Sequence, residues 1–185
     1  MRCSPAERSF KQTWLFFVCP FSQLESFLRD RYGDKSYFAT SIATLSQFHD
    51  RAYANSIVEL IINNGINEIG IAVDTNCRFL NSVLQKQTSQ YFKLTYPLQE
   101  IFDLHITEIL NQKSLSERRQ LFAKFVIHHQ AEEMCKVNLF KLLVMSGQIT
   151  VKGIITTRSS NESKEVSIRH FRPHDGLSTT DLELN

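Results

Sequence analysis

Ile69-Gly70-Ile71-Ala72-Val73-Asp74-Thr75-Asn76-Cys77 is the stretch whose reading decides the fold. Its apolar run has strand length and no polar alternation, so both faces of the strand are expected to be buried, as in a parallel sheet. A helix-like segment follows from about Asn76 to Lys86. The same pattern occurs earlier: Trp14-Leu15-Phe16-Phe17-Val18 ends in Cys19 and leads into a helix-like segment from about Phe21 to Tyr32, with Leu24, Phe27 and Leu28 on one face. Strands alternating with helices predict an α/β architecture around a parallel sheet. Open sheets of this kind place their chemistry just past the carboxyl ends of the strands. Cys19, Asp74 and Cys77 are therefore predicted to converge there, as soft and hard donors able to share one metal ion.

Working outward, Gly33-Asp34 closes the first helix, and Tyr37-Phe38-Ala39-Thr40-Ser41 reads as a second strand. Residues 42–52 show no clear period and predict a loop with a turn of helix. Tyr53 to Asn64 is amphipathic, and Gly65 stands where a left-handed C-terminal cap is expected. Residues 96–112 carry Leu98, Ile101, Phe102, Ile106 and Leu110 at helical spacing. Ser114 and Glu117 form a capping-box pattern, opening a helix predicted to continue to Met145, with Gly147 as its stop. Ile149 to Ile155 and Glu165 to Ile168 alternate, predicting a terminal antiparallel hairpin joined through Ser159 to Lys164. One domain is expected over residues 1–172, with a loosely held tail over 173–185.

The totals exclude several function classes. At 185 residues the chain is large enough to bury a substantial core, and 14 Phe provide apolar material for that core or for a subunit interface. A net charge of +2, with Lys and Arg dispersed, gives no electrostatic footprint for nucleic acid. Cys3, Cys19, Cys77 and Cys135 lack the dense spacing of a secreted disulfide scaffold. No apolar run approaches the roughly 18 residues of a membrane span, and the first is too short for a signal-peptide core. A reduced, cytoplasmic protein with no membrane partner is the expectation.

Together, the order of elements and the placed cysteines resemble the β-class carbonic anhydrases. In that family a Cys-x-Asp-Ser-Arg motif ends the first strand and a His-x-x-Cys motif follows the third. Cys19-Pro20-Phe21-Ser22-Gln23 occupies the first place here and Asp74-Thr75-Asn76-Cys77 the second. Gly33-Asp34, Ser56-Ile57-Val58-Glu59-Leu60, and the segments Asn138 to Leu142 and Gly147 to Gly153 also resemble family segments. The likeness runs over about residues 13–170 and is weakest over 88–130. It implies an α/β fold with a central sheet of about five strands, mostly parallel with an antiparallel C-terminal edge strand, flanked by helices. It also implies zinc, a homodimer or higher even oligomer with the site near a subunit interface, and carbon dioxide or bicarbonate as substrate. The N-terminal arm that many members wrap around a partner is expected to be short or absent.

The departures from the family pattern bear directly on activity. The resemblance implies a zinc shell of Cys19, Asp74 and Cys77, with Asp74 in the place of the family's histidine. Two thiolates and a carboxylate carry one more negative charge than two thiolates and a neutral imidazole, so bound water is harder to deprotonate. Phe21 and Gln23 stand where the family has its Asp/Arg dyad. Phenylalanine accepts no hydrogen bond, and Gln23 supplies no charge-assisted pair. Only Ser22 survives from that part of the motif.

The favoured expectation is thus a degenerate carbonic-anhydrase-like protein with lost or weak hydration, retained for interaction or regulation. An active zinc lyase with a Cys/Asp/Cys shell is the first alternative. A thiol redox module using Cys19 and Cys77 is the second. Plainer roles stand beside these: both cysteines as small buried hydrophobes, and Asp74 as a cap for the helix starting near Asn76. Cys3 and Cys135 lack a partner motif and read as structural. His128, His129, Glu132 and Glu133 sit at i, i+4 spacing without a His-Glu-x-x-His pattern, and read as a solvated helix face. His49, His105, His170 and His174 belong to no motif. There is no Gly-rich phosphate loop, and Ser22 has no triad context.

Overall fold

A computed structural model describes residues 12–85 and 92–168. The strands are β1 (Trp14–Val18), β2 (Ser36–Thr40), β3 (Glu68–Asp74), β4 (Thr150–Thr157) and β5 (Glu162–Val166). The helices are α1 (Glu25–Tyr32), α2 (Arg51–Asn64), α3 (Arg78–Leu84), α4 (Phe92–Leu104), α5 (Ile106–Leu110), α6 (Leu115–Cys135) and α7 (Asn138–Met145). One five-stranded sheet runs in the order β2-β1-β3-β4-β5. Its first four strands are mutually parallel and β5 is antiparallel to β4. This is the mixed α/β sheet expected from the sequence.

Both faces of β1 are buried, as its unbroken apolar run requires. Trp14, Phe16 and Val18 pack with Leu24, the residue that precedes α1, and with Leu28 of α1 on one face. Leu15, Phe17 and Cys19 join the larger core on the other, built with residues of α2, α3, α4 and α6. Gly70 is required in β3 because a Cβ there would run into the Phe16 ring and come within 3.2 Å of Ile154 Cδ1. Phe16 is itself stacked on Trp14 and Phe38, so it has little room to yield. Gly70→Ala is expected to cost about 1–3 kcal/mol by overpacking, read as a lower denaturant midpoint.

Several boundaries differ from the sequence expectations. The first helix starts at Glu25, because Pro20–Ser22 form a 3-10 turn and Gln23 sits in the left-handed region at φ 51°. The segment expected to be helical over 96–112 breaks at His105, which has non-helical torsions and stacks on Phe125. The capping box at Ser114 and Glu117 is present. The helix it opens stops at Cys135, however, because Val137 is extended (φ −85°, ψ 112°) and α7 restarts the chain. The final strand lies at Glu162–Val166, earlier than 165–168. Asp50 caps α2 and Gly65 closes it at φ 59°. The polar start of the chain and the segment from Pro173 lie outside the described residues, as do Cys3, His170 and His174. Among the described residues no helix is long and apolar enough to cross a membrane.

Candidate functional site

The sheet brings Cys19, Asp74 and Cys77 to one place. Cys19 follows β1, Asp74 is the last residue of β3, and Cys77 is the N-cap of α3. Since β1 and β3 are hydrogen-bonded neighbours, their carboxyl ends meet, and all three side chains line one closed hollow. The hollow is too narrow to admit a water molecule, and its walls include Val73, Leu80, Leu98 and Val126. All three site residues are buried.

Cys19 and Cys77 line the same hollow, and each thiol is the strongest influence on the other's titration. The Cys77 thiol donates to Cys19, and this contact does most to lower the Cys19 pKa from 9.0 to about 6. Burial opposes the shift, while the backbone N–H groups of Phe21 and Ala43 reinforce it. The buried Ser22 hydroxyl lends the smallest share. Cys77 is pushed up, chiefly by the hydrogen bond it donates and then by burial and the charge on Cys19. Cys19 is thus the thiolate of the pair and Cys77 its proton-bearing partner.

Asp74 is committed elsewhere. Its Oδ1 accepts from the Asn76 N–H at 2.7 Å, closing the turn after β3. Its Oδ2 accepts from Thr156 Oγ1 at 2.8 Å and from the Arg158 N–H at 3.1 Å, tying β3 to the end of β4. Arg158 then turns back across the site, donating through Nη1 to Gln23 Oε1 at 3.0 Å and to the Ser22 carbonyl at 3.4 Å. Helix α3 begins only at Arg78, so Asp74 closes a turn and does not act as its N-cap. Phe21 is half exposed beside the site, with the Arg78 guanidinium 3.8 Å from its ring centroid and the Phe79 ring edge-on at 5.2 Å. Beside the hollow there is therefore an aromatic–cation stack and an amide held by Arg158.

The donor set does not fit zinc well. Zinc takes four ligands, with water completing a short protein shell. Two sulfurs are available here, the Asp74 oxygens already serve three donors, and the hollow has no space for water. Among the described residues no group of three or more His, Cys, Asp or Glu is arranged to hold a metal. His128, His129, Glu132 and Glu133 make no such group either, and Glu133 is paired with Lys136.

Some residues of the site carried no sequence signal. Ala43 and Thr44 adopt left-handed torsions (φ 53° and 67°), which cost energy in residues with a Cβ and persist only where surroundings enforce them. With Gln23, they place three of the four positive-φ non-glycine residues beside the hollow. The fold holds them there: Thr44 Oγ1 donates to the Ala72 carbonyl at 3.1 Å, and buried Gln130 of α6 accepts from the Ser46 N–H at 3.0 Å. Thr156 and Arg158 leave no local signal because their contacts to Asp74 span 82 and 84 residues. The one usable hint was that the carboxyl end of β4 should lie beside that of β3 in a parallel sheet.

Neither a protein-family model nor any curated protein matches the sequence. Solved structures match in shape. A tetrameric β-carbonic anhydrase from the filamentous ascomycete Sordaria macrospora superposes with a TM-score of 0.71, over 84% of this chain and 81% of its own, at 15% identity. The β-carbonic anhydrase CafD of Aspergillus fumigatus gives 0.70 over 89% and 95%, at 13% identity. The Coccomyxa β-carbonic anhydrase, solved in complex with acetazolamide, gives 0.69 over 84% and 72%, at 15% identity. Likeness at such identities is one of fold.

Proposed function

From a chain that has the β-carbonic-anhydrase fold, we propose a protein that does not hydrate carbon dioxide and is retained for interaction or regulation. It acts as one domain in the cytoplasm and assembles in even numbers, as the tetrameric Sordaria relative suggests. The observation that carries this reading is the three-donor commitment of Asp74. Hydration through a metal-held water needs an open position and a nearby acceptor to orient the attacking oxygen. The hollow admits no water, and Phe21 offers no acceptor. For the alternative, a zinc lyase with a Cys/Asp/Cys shell, Asp74 has to bind through Oδ1, which already accepts from the Asn76 N–H, or through Oδ2 at the expense of Thr156 and Arg158.

Stopped-flow carbon dioxide hydration, run on the full chain with zinc supplied, tests the reading. The expected rate is that of buffer alone. A rate well above buffer that disappears in Cys19→Ser overturns it.

A further inference from the structure

We infer that the cleft between the open edge of β5 and helix α6 takes an extended segment of another protein, added to β5 as a sixth strand, with an acidic and a large apolar residue two positions apart. The inference rests on the reading of this chain as one retained for interaction, and it names the kind of partner.

The cleft follows from the topology. β5 is the outermost strand of the sheet, so its far side presents backbone N–H and C=O groups that no strand among the described residues meets. A cleft of about 1120 Å³ runs along that edge, lined by every residue from Glu162 to Ser167 and, opposite them, by one face of α6. Helix and strand run in the same direction. Near the start of α6, Arg119 donates to Asn81, which donates to the Thr75 carbonyl at the end of β3. The Thr75 hydroxyl meets that of Thr157, the partner of Glu162 in the sheet. Further along α6, Ile127 stands where a Gly153 Cβ would lie, and Gly153 is the partner of Val166. From Glu117 to His128 the helix rises about 16 Å, and five residues of strand span about 17 Å, so wall and edge match in length.

The alternation of β5 selects what the cleft displays. Glu162, Lys164 and Val166 lie on the face that Gly153 turns towards α6, whereas Ser163 and Glu165 lie on the opposite face, towards Tyr32. Half-buried Leu121, Phe125 and Val166, with Ile155, give the cleft an apolar floor. Two of its carboxylates are already engaged: Glu117 accepts from the Ser114 N–H and Glu162 from Ser160 Oγ. Exposed Lys124 and Lys164 take part in no ion pair among the described residues. The unmet charge at the middle of the cleft is therefore positive and calls for a carboxylate. The apolar floor at Val166 lies two residues from Lys164, on the same face. Side chains sharing a face of an added strand are also two apart, which sets the spacing of its acidic and apolar residues. Main-chain bonds to the β5 edge supply affinity whatever the sequence, and these two side chains supply the choice.

The test probes two arrays of short peptides with the full chain at low ionic strength, one with Glu fixed at the centre and one with Lys, all other positions being randomised. Selection is expected for Leu, Ile, Val or Phe two positions from the Glu, and the Lys array should bind at least about fivefold more weakly. Lys164→Glu, at an exposed position, should reverse the preference between the arrays, which a mere loss of stability does not do. Hydrogen exchange, followed by NMR on the wild type with the best array peptide, should slow at the outward amides of residues 162–166 and stay unchanged in β2, the opposite edge. No preference for Glu over Lys overturns the inference, and so does a preference that survives both Lys164→Glu and Lys124→Glu. Outward β5 amides already protected in the chain alone overturn it too. Protection that grows with chain concentration puts a second copy on the edge, and protection independent of concentration puts a segment of the same chain there. Failure here in a chain that does not hydrate carbon dioxide removes the peptide cleft alone, whereas hydration with zinc removes the functional reading beneath it.

Discussion

Asp74→Ala is expected to destabilise the chain by about 3 kcal/mol, far more than a surface carboxylate would. Asp74 is 3% exposed, and Thr156, one of its donors, is fully buried. Removing the side chain leaves Thr156 Oγ1 and the Asn76 and Arg158 N–H groups without an acceptor. Each orphaned donor costs about 1–3 kcal/mol, and relaxation recovers part of the sum. The tie between the ends of β3 and β4 goes with it, and so does the anchor from which Arg158 reaches Gln23 and Ser22. Asp74→Asn should fall between, since its amide keeps one acceptor and turns a donor towards donors. Urea midpoints at unchanged slope measure this. The comparison with chelator-treated wild type is decisive. If Asp74 served mainly as a metal ligand, chelation and Asp74→Ala would cost the same stability. Here chelation should cost little and the substitution should cost its full amount.

Cys77→Ala is expected to raise the Cys19 pKa well above 6, because it removes the thiol donor that contributes most to the shift. The thiolate absorbance of the wild type should titrate near pH 6, and that of the variant closer to the ordinary 9.0. Stability follows by linkage. Between about pH 6 and 9 the folded pair holds fewer protons than the unfolded chain, so stability rises with pH across that window and its gain is lost as pH falls through 6. Above the ordinary thiol value the sign reverses, because Cys77, pushed up, keeps a proton that the unfolded chain releases. The contribution of the pair therefore peaks near pH 9. In Cys77→Ala the rise between 6 and 9 should flatten. An equally steep rise in the variant would place the source of the stabilisation elsewhere.

What the sequence could and could not reveal follows from the range of the interactions. Unbroken apolar runs at 14–18 and 69–73 sufficed for the parallel sheet, because burial on both faces leaves its mark locally. The same runs located Cys19, Asp74 and Cys77, since strand ends in such sheets converge. Helix breaks at His105 and Val137 were hidden because the apolar period continues across them to Ile109 and Phe140, both buried in the core. The commitment of Asp74 was hidden for another reason: its acceptor role depends on Thr156 and Arg158, which only the β3–β4 register brings near. No residue type announces left-handed torsions at Ala43 and Thr44 either. Sequence thus exposed the donors of the site, and structure supplied what competes for them.

The measurement that separates a metal-free protein from a zinc lyase is zinc per chain in protein purified without added metal or chelator, with hydration measured on the same sample. Zinc is expected far below stoichiometric, with a hydration rate equal to buffer, in protein that is folded with Cys19 and Cys77 reduced. Stoichiometric zinc, lost in Asp74→Ala and accompanied by hydration, would contradict it.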